Sequence, residues 1–119
     1  MRLSGLAVLL TLALAPAPAL AHAFLDHAEP RVGSQVKPPP RTVQLWFTQG
    51  LAAAFCQVTV AGPPGFGGAG PARPAPGDNR RLIVDLRPPL PAGVYRVRWR
   101  ALSADTHVTE GEFAFTVRP

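Results

Sequence analysis

The sequence contains one cysteine, Cys56, and one methionine, Met1. A lone cysteine cannot close an internal disulfide, which excludes a disulfide-stapled scaffold. Charge is sparse at 16% of residues, with seven Asp and Glu against twelve Lys and Arg. Hydrophobic residues still reach 47%, too many for a disordered polymer. There is no internal repeat, and no stretch joins a helical period to capping residues. With 119 residues the chain has room for one domain and none for a second.

The only long apolar run opens the chain. Arg2 precedes Leu3–Ala15, followed by Pro16, Pro18 and Ala19-Leu20-Ala21. A positive start, a short apolar core and small residues around a cleavage point make residues 1–21 a signal peptide. The alternative, an uncleaved anchor, needs about 20 apolar residues to cross a bilayer, and this run is shorter. Cleavage after Ala21 leaves a domain of residues 22–119 with eleven cations against seven carboxylates, and no other segment suited to a membrane span. Export places that domain in an oxidising compartment, although it uses no disulfide. The cut also makes His22 the first residue, with a free α-amine beside its imidazole.

The remainder alternates with period two. Val43, Leu45 and Phe47 share one face, opposite Gln44, Trp46 and Thr48. Cys56, Val58 and Val60 alternate with Phe55, Gln57 and Thr59; Tyr95, Val97 and Trp99 alternate with Arg96, Arg98 and Arg100. Phe113, Phe115 and Val117 form another such face, and Leu82, Val84 and Leu86 a fifth. One buried and one wet face per strand suits antiparallel sheets. Pro38-Pro39-Pro40, Gly50, Pro88-Pro89 and Pro91-Ala92-Gly93 punctuate the strands. The pattern predicts an all-β antiparallel sandwich of about seven strands. The Gly- and Pro-rich stretch from Ala61 to Asn79 is expected to be a long mobile loop, because proline lacks a ladder donor and glycine is entropically costly.

Few side chains are left to carry chemistry. An N-terminal histidine offers amine and imidazole to one metal, closing a chelate ring. Neutral nitrogens in a plane favour Cu(II). Asp105-Thr106-His107 adds a carboxylate and an imidazole two residues apart, which extended backbone projects to one side. Spacing alone does not bring His22 and Asp105 together. Taken singly, each histidine reads as an ordinary surface residue.

Several segments together resemble one family. His22-Ala23-Phe24-Leu25, Glu29-Pro30, Gly33-Ser34 and Val43–Thr48 are similar to the opening of CopC-type periplasmic copper-resistance proteins. Pro91–Trp99 resembles that family's late strand, and Ser103–His107 with Gly111–Phe115 its closing motif. The resemblance spans nearly all of residues 22–119 except the Gly/Pro stretch. It implies a cupredoxin-like or immunoglobulin-like β-sandwich that binds Cu(II) through His22, by amine and imidazole, with Asp105 and His107. It also implies a periplasmic role in copper sequestration or delivery without catalysis, beside a CopD-type inner-membrane copper transporter.

Three departures qualify that picture. Phe24 stands where some members carry a second histidine, and Gln49 where a glutamate is common. No methionine survives maturation, and soft thioethers are what Cu(I) requires, so a Cu(II)-only site is expected. Two other functions remain open. One is an oxidative enzyme with a terminal-histidine brace, for which the chain offers only Trp46 as a substrate platform. The other is a metal-free interaction module. Cys56 has no nearby histidine or methionine for a blue-copper centre and reads as core. The comb of Arg96, Arg98 and Arg100 reads as a solvated face rather than a nucleic-acid site. Trp99 is expected in the core, Trp46 partly exposed, and His27 and Asp26 in solvent.

Overall fold

A computed structural model describes residues 22–119; the predicted signal peptide, residues 1–21, lies outside the described residues. Among the described residues, eight strands form two four-stranded sheets. They are β1 (Leu25–Glu29), β2 (Gln35–Val36), β3 (Thr42–Phe47), β4 (Gln57–Ala61), β5 (Arg73–Ala75), β6 (Asp78–Asp85), β7 (Gly93–Leu102) and β8 (Val108–Val117). The first sheet runs β1-β3-β6-β5 and the second β2-β8-β7-β4. Every pairing is antiparallel except the two-residue contact of β2 with β8, which is parallel.

Alternation places the core. Val43, Leu45 and Phe47 of β3 and Leu82 and Val84 of β6 meet Tyr95, Val97 and Trp99 of β7 and Phe113, Phe115 and Val117 of β8 between the sheets. Trp99 packs edge-on against Phe47, with ring centroids 5.2 Å apart. Apolar area withdrawn from water on these facing surfaces is the main force joining the sheets. Cys56 is buried among them, its sulfur accepting the Leu102 amide at 3.4 Å, and burial pushes its thiol pKa up.

The structure corrects two expectations. Phe55 belongs to a 3₁₀ turn, Ala53–Phe55, where the Ala52 and Ala53 carbonyls accept the Phe55 and Cys56 amides, so β4 begins only at Gln57. The Ala61–Asn79 stretch is ordered rather than a mobile loop. Its Gly67 and Gly70 amides donate to the Pro89 and Asp85 carbonyls, the Arg87 amide donates to Gly68, and Phe66 packs edge-on against Tyr95. It also contains β5, an edge strand, where Pro74 has no ladder donor to forfeit toward solvent. A Cβ at Gly67 would lie 2.2 Å from the Arg87 carbonyl oxygen, so glycine there permits close backbone approach.

The outer faces are polar. Arg96 and Arg98 pair with Glu112, and Arg100 with Glu110, at 3.3 to 3.8 Å. Trp46 is half-buried, between the His27 ring stacked at 4.4 Å and the Arg81 guanidinium at 5.3 Å. His27 and Asp26 are both exposed, joined at 2.6 Å.

Candidate metal centre

One pole of the sandwich gathers the start of β1, the end of β3 and the β7–β8 turn. The segment His22–Phe24 is fastened there by two threonines. Thr48 accepts the Phe24 amide on its Oγ1 at 3.0 Å and donates its own amide to the Phe24 carbonyl at 2.9 Å. Thr109, buried on β8, donates its hydroxyl to the Ala23 carbonyl at 2.5 Å. That bond ties a segment leading into the first sheet to a strand of the second. Ala23 is fully buried, so its neighbour His22 is held at the mouth of the sandwich.

The β7–β8 turn brings Asp105 and His107 to the same place. Both were expected to converge through extended backbone, but they sit in a turn. The Thr106 amide donates to the Ser103 carbonyl at 2.9 Å, and Thr106 takes a left-handed φ of 72°. A β-branched residue adopts that conformation at a cost of order 1–2 kcal/mol, so surrounding contacts must impose it. Ser103, 1% exposed, supplies them. Its hydroxyl donates to Asp105 Oδ1 and accepts the His107 amide at 3.1 Å, while its own amide donates to the His107 carbonyl at 2.9 Å. The Ala104 amide reaches the Gly50 carbonyl at 2.9 Å, anchoring the turn to the segment just beyond Gln49.

His107 therefore contacts both His22 and Asp105. The His22 and His107 rings stack with centroids 4.6 Å apart and planes 18° from parallel. His107 Nδ1 lies 3.2 Å from Asp105 Oδ1. His22 also stacks on Phe24, with ring centroids 5.9 Å apart. His22 Nε2 is buried without a hydrogen-bond partner among the described residues, an uncommon and costly state for a polar atom. The Ser103 hydroxyl, followed by the His107 ring, holds the Asp105 carboxyl below its usual range, so Asp105 is an anion at neutral pH. Nitrogen lone pairs lie in the ring planes, and stacked planes do not aim them at one point. Among the described residues no group of three or more His, Cys, Asp or Glu side chains is set at ligand geometry. Closing all three around an ion requires rotation of at least one ring.

Sequence reasoning overlooked Ser103 and Thr109. A hydroxyl two residues before the carboxylate in Ser-x-Asp-x-His was a readable turn signal. Thr109 carried none, because its partner lies at the other end of the chain.

The fold and this pole define a class: a small two-sheet β-sandwich with two imidazoles and a carboxylate at one end. Its sequence matches the CopC domain over residues 25–118, and the chain belongs to the CopC family. It is 39% identical to copper resistance protein C of Escherichia coli, over 84% of each chain. The CopC crystal structure from Methylosinus trichosporium OB3b superimposes with a TM-score of 0.71 at 32% identity, covering 82% of this chain and 95% of that one. The methionine-rich copper resistance protein PcoC of Escherichia coli gives a TM-score of 0.70 at 35% identity, covering 82% and 100%. The chain also matches, at 30% identity over 92% of its length, 20% of the copper transport protein CutJ of Bacillus subtilis.

Proposed function

We propose that the protein binds one Cu(II) ion per chain at this pole, for sequestration or delivery of copper, and that it is not an enzyme. The observation that supports the reading is the contact of His107 with neighbouring Asp105 and with His22 from the opposite end of the sequence. The His22 imidazole and α-amine, the His107 imidazole and the Asp105 carboxylate offer three nitrogens and one oxygen. That donor set suits tetragonal Cu(II), and with no methionine beyond Met1 the domain has no thioether for Cu(I). Anionic Asp105 contributes charge as well as a donor atom.

The reading includes maturation. Residues 1–21 are removed as a signal peptide on export to the periplasm, leaving the domain 22–119 and freeing the His22 amine. The match to one fifth of a longer protein named a copper transport protein supports hand-over to a CopD-type inner-membrane transporter. No nucleic-acid partner is proposed. Among the described residues no helix is long and apolar enough to cross a membrane.

Titration of the processed protein against a competing Cu(II) chelator tests this reading. One equivalent should bind tightly, and His22→Ala, Asp105→Ala and His107→Ala should each weaken it. Unchanged affinity in all three variants would refute the site.

A further inference from the structure

The charge of the domain is polarised along the strands. At the pole opposite His22, the connections after β1, β2 and β6 and the end of β8 present Arg31, Lys37, Arg41, Arg87 and Arg118. None of these five lies within ion-pair distance of a carboxylate side chain among the described residues, whereas Arg73, Arg81, Arg96, Arg98 and Arg100 are all paired; Arg80, near the His22 pole, donates instead to the Thr48 carbonyl at 3.4 Å. Glu29 is the one unpaired carboxylate beside them. The pole around His22 instead carries Asp26, Asp78, Asp105 and Glu110. The domain's net positive charge thus resides at the far end.

Apolar surface accompanies it. A groove of about 450 Å³ runs between Lys37, Arg41 and Arg118, with Glu29 on its wall and Lys37 Nζ donating to the Pro119 carboxyl oxygen at 2.8 Å. A second groove of about 450 Å³ adjoins it, sharing Pro40 and Arg41, and is lined by Pro39, Leu86, Pro88 and Leu90. Val32, 57% exposed, caps the neighbouring turn beside Arg31, where Gly33 takes φ 74° and the Ser34 amide closes onto the Arg31 carbonyl at 3.0 Å. A cationic groove flanking an apolar one matches a phosphate head joined to a hydrocarbon body.

We propose that this pole docks end-on to an anionic phospholipid surface, leaving the His22 pole facing away. Lys37, Arg41 and Arg118 take the lipid phosphates, and Val32, Pro39, Pro88 and Leu90 rest on the glycerol and upper acyl region. These cations share one end of the sandwich, so a bilayer surface draws on several of them together, and with so few charges the attachment is reversible and sensitive to salt. The proposal is independent of the metal reading, because none of these residues lies at the His22 pole.

Co-sedimentation of the processed protein with vesicles tests it. An equal mixture of phosphatidylglycerol and phosphatidylcholine should retain the protein at low salt, and phosphatidylcholine alone should not. Arg41→Gln and Arg118→Gln should each lower retention by roughly fivefold, as expected for losing one surface cation, and Arg41→Glu by more. Val32→Asp should lower it too, while Arg96→Gln, on the paired sheet face, should not. Circular dichroism of these exposed-site variants checks that each is folded. Equal binding to both vesicle types, or loss with Arg96→Gln equal to that with Arg41→Glu, would overturn the proposal. So would binding to soluble poly-glutamate without binding to anionic vesicles, which would point to an acidic protein partner.

Discussion

The imidazole of His22 lies face to face with that of His107, 4.6 Å between centroids, although one is the first described residue and the other sits in the turn of the last hairpin. Two threonine hydroxyls and a buried serine hold them there, so the candidate site is built by polar anchoring of two chain segments over an apolar core.

The α-amine of His22 is a donor only when nothing precedes it. A variant with one extra residue before His22 should lose Cu(II) affinity by more than the roughly 100-fold that an outer partner typically costs. Chelator competition on the extended and processed proteins measures the difference.

Thr109 stabilises the start of the domain. Thr109→Val keeps the shape but leaves the buried Ala23 carbonyl without its donor, at an expected cost of about 1–3 kcal/mol in urea unfolding. Thr116→Val, which removes a hydroxyl with no such partner, is the matched control and should change stability by less.

Ser103 sets the protonation of Asp105. Because its hydroxyl lowers the Asp105 pKa in the folded state, ionised Asp105 favours folding above the ordinary carboxylate range. That contribution fades as pH falls through the depressed folded value. Ser103→Ala should move the Asp105 carboxyl resonance titration upward, flatten the acid limb of stability and weaken Cu(II) binding by roughly 10- to 100-fold. An unmoved Asp105 titration would show that the hydroxyl plays no such part.

The packed Gly/Pro stretch makes Gly67→Ala informative. A methyl directed at the Arg87 and Pro88 carbonyls should destabilise the domain by about 1–3 kcal/mol. In a mobile loop the same change would be nearly neutral, and urea midpoints separate the two.

Much of this architecture was legible in the sequence, because a period of two declares which residues face inward. The faces read for β3, β7 and β8 are the buried faces observed, and Trp99 and Cys56 lie in the core while His27 is exposed. Short edge strands escaped notice. Two-residue β2 is too brief to show a period, and β5 carries Pro74 in a stretch whose composition argues against any ladder. Order in that stretch comes from bonds to residues 85–89 and from Phe66 on Tyr95, which local composition does not encode. At the candidate site the residue types and the Ser-x-Asp-x-His turn signal were readable, but the conformation of the turn was not. The left-handed Thr106 is imposed by Ser103 and by the Gly50 carbonyl, both tertiary partners.

The most direct test of the metal reading is the electron paramagnetic resonance spectrum of the processed protein with one equivalent of Cu(II). The reading predicts a single axial Cu(II) species with hyperfine structure from three nitrogens, reduced to two when a residue is added before His22. A spectrum indistinguishable from hexaaquo copper, or one unchanged by that extension, would contradict it.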